Sequence, residues 1–229
     1  MSRHFEELVN ELNDQLLLMS GRVESIIRKA VEALQRRDVT LAEEVFRDDR
    51  AIDRMEMDIE ERCIELLALQ QPLARDLRLI TSALKISNDL ERVGDHAVNI
   101  AGCAKTLDTL PPMRNAADLP ELAEKAIGML REALDAFVRR DADAARALVR
   151  RDDEVDALNR HLFAELLARM VSDPAAIQAS MALVLVGRNL ERIGDLATNV
   201  AEEVVFIAEA RVIKHHAEDP AVRDEFGRS

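Results

Sequence analysis

The stretch Asn88-Asp-Leu-Glu-Arg-Val-Gly-Asp-His-Ala-Val-Asn-Ile-Ala101 returns 100 residues later as Arg188-Asn-Leu-Glu-Arg-Ile-Gly-Asp-Leu-Ala-Thr-Asn-Val-Ala201. The shared pattern is Leu-Glu-Arg-(Val/Ile)-Gly-Asp-x-Ala-x-Asn, and a match this long at one fixed offset marks an internal duplication. On a helix, Glu91 and Asp95 stack one turn apart, as do Glu191 and Asp195. A clean apolar seam surrounds the first copy: Leu79, Ala83, Ile86, Leu90, Val93, Ala97, Ile100, Ala104 and Leu107. A second seam, from Leu73 and Leu77 through Ile80 and Leu84, is interrupted by Ser87, Glu91 and Gly94. Two seams mean two packed neighbours, so Glu91 falls where a core residue belongs. Ala179 to Ile207 repeats the clean seam, and Gly187, Glu191 and Gly194 repeat the interruption.

Working outward, Phe5, Val9, Leu12, Leu16, Met19, Val23, Ile26, Ala30 and Ala33 predict one long helix ending near Arg37. A second follows an N-cap signal at Asp38 and Thr40 and carries Asp49 and Asp53, with Glu56 and Glu60 extending the acidic line. Pro72 starts the third, motif-bearing helix. The stretch from Asp108 to Pro120 holds half of the prolines and reads as the linker. Beyond it the order repeats. A helix runs from about Leu119 to Arg140, one from Asp141 to about Val171 carries Asp152 and Asp156, and one after Pro174 carries the second motif. The expected fold is all-α: two tandem, duplicated three-helix bundles, residues 1–110 and 118–216, with a charged, frayed tail at 217–229.

In each half the second and third helices are antiparallel neighbours joined by a short turn. Asp49 and Asp53 precede that turn by about as many residues as Glu91 and Asp95 follow it, so the pairs meet at one height. Asp152 and Asp156 meet Glu191 and Asp195 in the same way. Four carboxylates facing one another call for a cation, and hard oxygen ligands suit iron, manganese, magnesium or calcium, with zinc less comfortable without His or Cys.

Composition narrows the function. Gly (7) and Pro (6) are scarce in 229 residues, with neither Trp nor Tyr, which favours helices. A net charge of -13 disfavours nucleic acid and anionic membranes as partners. Cys63 and Cys103 read as reduced core thiols of a cytosolic protein. No signal peptide or bilayer-spanning run is legible, so direct membrane insertion is not expected. No Ser/His/Asp set, phosphate-cradling Gly loop or Cys-x-x-Cys appears, so the chain is not expected to be an enzyme. A ferritin-like di-metal protein needs Glu-x-x-His pairs, and the residues three before the histidines are Met1, Val93, Leu158, Val212 and Ile213. A metal-free helical scaffold explains the seams but not the recurrence of acidic pairs on them. His215-His216 reads as a solvated tail pair.

The doubled motif, with Pro72-x-x-x-Asp76-Leu-Arg78 ahead of it, resembles the PhoU family of phosphate-uptake regulators over the chain up to about residue 210. That resemblance implies metal clusters at the acidic motifs. Asp49, Asp53, Glu91 and Asp95 would form one site, and Asp152, Asp156, Glu191 and Asp195 the other, with iron, manganese, magnesium or zinc as the metal. It further implies a cytoplasmic negative regulator of the phosphate-starvation response, coupling the phosphate ABC transporter to its sensor histidine kinase, with a homodimer as the candidate assembly. One departure stands out: Leu196 replaces the histidine that the first motif holds as His96, which puts a ligand role for that residue in doubt and points to unequal sites.

Overall fold

The computed structural model describes residues 3–111 and 118–213. Most of the linker and the tail from residue 214, including His215-His216, lie outside them. Among the described residues every regular element is helical: α1 Arg3–Arg36, α2 Val39–Gln70, α3 Ala74–Asp108, α4 Leu119–Arg139, α5 Ala142–Val149, α6 Asp152–Ser172 and α7 Ile177–Glu209, with a 3-10 turn at Pro174–Ala176 before α7. Each expected clean seam is buried, from Phe5 to Ala33 on α1, Leu79 to Leu107 on α3 and Ala179 to Ile207 on α7. They merge into one apolar core.

The same devices turn the chain in both halves. Arg37 and Arg140 adopt left-handed backbone after the first helix of each half. Asp38 and Asp141 then cap the next helix by accepting from the Leu41 and Ala144 N–H groups at 3.0 and 2.9 Å. These matches fix an offset of 103 residues between the first two helices of one half and those of the other. Arg37 also donates to the Leu107 and Leu110 carbonyls, both at 2.7 Å, and so ties the end of α1 to the end of α3.

Two expectations need correction. The single helix expected from Asp141 to Val171 is broken at Arg150 and Arg151 into α5 and α6. The stretch from Ala142 to Ser172 is one residue shorter than α2, but Asp152, Asp153 and Glu154 fill the first turn of α6, where acids favour a helix start. The second seam of α3 also begins later than the pattern indicates, because Leu73 and Leu77 are exposed at the hairpin end.

The halves join through α3 and α7. Ser82, near the start of α3, donates to Glu203, near the end of α7, at 2.8 Å. His96 Nδ1 meets Asn189 Oδ1 at 2.9 Å. Moving from 82 to 96 on α3 therefore moves back from 203 to 189 on α7: the helices are antiparallel in one fixed register. In that register Arg92 is level with Ile193, and Arg192 with Val93. A pseudo-two-fold axis thus passes through the middle of the two motif copies.

Candidate metal centres

In the first half, α2 presents Asp49, Asp53 and Glu56 toward Glu91 and Asp95 on α3. Burial first, then Asp53 and Asp95, push the Asp49 carboxyl up to about 6. Glu91 is raised by burial first, then by Asp95, Asp53, Glu56 and Asp49. Every acid expected at this site is thus within electrostatic reach of the others. Glu56, expected only as an extension of the acidic line, joins them, raised by burial and then by Glu60 and Asp53.

Space for Asp49 comes from the motif glycine. A Cβ on Gly94 would lie 2.7 Å from Asp49 Oδ1, so only a residue without a side chain admits the acid against α3. Glu91 is half-buried rather than a core residue, and Asp53 and Asp95 are exposed. The site lies at the surface along the α2–α3 interface.

The second half keeps the plan and changes the donors. Asp152 is raised to about 6 by burial first, then by Asp195 and Asp156, with Thr198 opposing the shift as a hydrogen-bond donor at 3.4 Å. Glu191 is held by the Asn159 amide at 2.8 Å, where the first half has Glu56 in place of Asn159. The doubled motif itself gave no sign of Asn159; its signal is the 103-residue offset. Arg192 donates to Asp195 at 2.9 Å, whereas Arg92 pairs with Asp89 at 3.3 Å rather than with the site acids.

Leu196 is buried in the core, while its counterpart His96 reaches across to the other half. Asn189 donates its amide to the Leu185 carbonyl at 2.7 Å, which leaves its Oδ1 to accept from His96 Nδ1–H. His96, Arg92 and Arg192 share a cleft of about 410 Å³ with Asp152, Asp195 and Glu202.

The donor sets are all-oxygen, which suits hard cations. Among the described residues no three acidic, His or Cys side chains converge on one point as they stand. The exposed Asp53 and Asp95 have the rotameric freedom to close on an ion, and Asp49 already sits in its glycine-made recess. Cys63 and Cys103 are buried free thiols, and burial pushes Cys63 up to about 12.

These features define a duplicated helical-bundle protein with an acidic cluster in each half. The PhoU domain matches residues 16–104 and 119–204, and the chain belongs to the PhoU family. It is 39% identical over 204 residues to the phosphate-specific transport system accessory protein PhoU homolog of Clostridium acetobutylicum, covering 89% of this chain and 93% of the relative. It is 41% identical to the Aquifex aeolicus protein of the same name, covering 92% and 95%. The crystal structure of PhoU from Pseudomonas aeruginosa superposes with a TM-score of 0.88 at 38% identity, covering 90% of this chain and all of that one. The phosphate transport system regulatory protein PhoU from Streptococcus pneumoniae superposes at 0.84 with 27% identity, covering 92% and 99%.

Proposed function

We propose that this protein is a metal-binding regulator of phosphate uptake that acts on the cytoplasmic side of the membrane. It represses the phosphate-starvation response by coupling the phosphate ABC transporter to its sensor histidine kinase. The role in phosphate transport is supported by relatives named as accessory proteins of the phosphate-specific transport system. No helix among the described residues is long and apolar enough to cross a membrane, so contact with the transporter is made through the surface of the bundle. A homodimer is the proposed assembly.

The observation that carries the metal reading is the recurrence of paired acids from adjacent helices in both halves, with Gly94 making room for Asp49. Asp49, Asp53, Glu91 and Asp95, joined by Glu56, would hold the first ion or ions. Asp152, Asp156, Asp195 and Glu191 would hold the second. Bound iron, manganese, magnesium or zinc would offset the burial and, after it, the repulsion that raise Asp49 and Asp152. It would also cross-link α2 to α3 and α6 to α7. The rival reading, a metal-free scaffold, draws on the lack of three converging side chains among the described residues.

Elemental analysis separates the two. Protein purified without chelator carries at least one metal per half, and Glu91→Ala with Asp95→Ala removes about half of it. Protein that is metal-free and takes up no iron, manganese, magnesium or zinc on titration belongs to the rival reading. The regulatory part is read in cells: deleting the gene raises starvation-gene expression in phosphate-replete medium, and unchanged expression refutes that role.

A further inference from the structure

We propose that the cleft on the pseudo-two-fold axis binds a tetrahedral oxyanion, inorganic phosphate or the phosphoryl group of a phosphate ester, and that this site assembles when a metal ion takes Asp152 and Asp195. The inference rests on the metal reading above and gives it a ligand.

The antiparallel register of α3 on α7 sets the geometry. It brings Arg92 from one half and Arg192 from the other to the axis, and both line the same cleft. A guanidinium is planar, permanently charged and forked, which matches the paired oxygens of a phosphoryl group. Two of them, reaching one cleft from two repeats, form a clamp that neither repeat could build alone.

As it stands the clamp is closed to anions. Two arginines share the lining with Asp152, Asp195 and Glu202, and Asp89 pairs with Arg92, so the acids outnumber the arginines. Both arginines are also engaged, Arg192 donating to Asp195 at 2.9 Å and Arg92 to Asp89 at 3.3 Å. A divalent ion on Asp152 and Asp195 changes both facts. It cancels the charge of those two carboxylates, and it competes with Arg192 for Asp195. The released guanidinium lines the same cleft as Arg92. Metal and oxyanion then favour each other's binding, and the coupling is reciprocal. The first half lacks this arrangement, because its arginine pairs with Asp89 and leaves Asp95 alone.

The test uses the full chain, manganese and equilibrium dialysis against labelled inorganic phosphate, with glycerol phosphate as a second arm. Manganese-loaded protein binds phosphate at least tenfold more tightly than chelator-treated protein. Arg92→Gln and Arg192→Gln each weaken phosphate at least tenfold. In the Arg192 variant manganese content is kept or its affinity rises, since a competitor for Asp195 has gone; a merely structural arginine would not move the two ligands in opposite directions. Tighter binding of glycerol phosphate assigns the site to esters, and tighter binding of phosphate to the free ion. Manganese uptake without phosphate binding overturns this inference alone, as do equal phosphate affinity with and without manganese, or both arginine variants binding as wild type. No manganese uptake removes the metal reading and this inference with it.

Discussion

Gly94 and Asp49 are a fitted pair across the α2–α3 interface: the Cβ that Gly94 lacks would stand 2.7 Å from Asp49 Oδ1. Gly94→Ala therefore tests fold and site separately. Alanine in a helix interior is favoured over glycine by about 1 kcal/mol, and Asp49 can rotate outward to admit the methyl. Metal-free stability stays within about 1 kcal/mol of wild type by denaturant unfolding, while metal content falls by the share of the first half. Gly187→Ala behaves differently, because its Cβ would meet the Leu162 side chain at 2.8 Å as well as Asn159 at 2.6 Å. Leu162 is fully buried, so that substitution loses about 1–3 kcal/mol to overpacking.

Acidity separates the metal-free from the loaded protein. Asp49 and Asp152 have carboxyls raised to about 6, against an unfolded value near 4. The folded state therefore holds more protons than the unfolded one between those values. Each group's stabilising contribution is complete below about pH 4 and is lost as pH rises through about 6. In chelator-treated protein, Asp49→Asn raises the melting temperature at pH 7.5, and the gain shrinks toward zero at pH 4.5. A gain that is constant with pH would show that the carboxyl is not raised. In manganese-loaded protein the dependence reverses, since protons compete with the metal.

Asn159 marks the second half as the less acidic one. Its amide holds Glu191 at 2.8 Å, so Asn159→Asp replaces a donor by a like charge. Metal-free stability falls by about 1–3 kcal/mol, and manganese titration shows tighter uptake in that half. Equal stability of variant and wild type would mean that the hydrogen bond does not persist in solution.

Glu203 is a carboxylate buried between the halves, with Ser82 and Lys85 donating to it at 2.8 and 3.1 Å. Lys85→Met takes the lysine away and leaves the buried charge. Glu203→Gln removes the charge and keeps an acceptor for Ser82. The lysine variant is thus the more damaging, by at least about 1 kcal/mol in chemical denaturation. The reverse order would show that the Lys85 contact does not persist in solution.

Much of this was legible in the residues. The 4,3 seams placed α1, α3 and α7, because a buried helix face admits few substitutes for Leu, Ile, Val and Ala. Equal distances from the hairpin turn put the pair Asp49 and Asp53 level with the pair Glu91 and Asp95 without any knowledge of packing. The break before Asp152 was not legible, since its apolar spacing continues as if the helix did; only the acids crowding the new first turn hint at it. Glu203 was hidden because it is a polar residue beside a clean seam, and its partners Ser82 and Lys85 lie in the other half, some 120 positions away. The convergence of Arg92 and Arg192 depends on how the repeats dock, which no pattern within one repeat encodes.

The 103-residue offset also relates two ion pairs of opposite polarity. Lys29 on α1 meets Asp48 on α2 at 2.7 Å. At the matching positions of the second half, Glu132 on α4 meets Arg151 at the α5–α6 break. A duplicated chain risks a folding error that a single bundle does not face: its first helix could dock on the other copy's second helix, within one chain or between two. With the polarity reversed, that exchange would set Lys29 against Arg151 and Glu132 against Asp48. Both wrong pairings are repulsive where both right ones attract, so each copy carries a mark of which partner is its own.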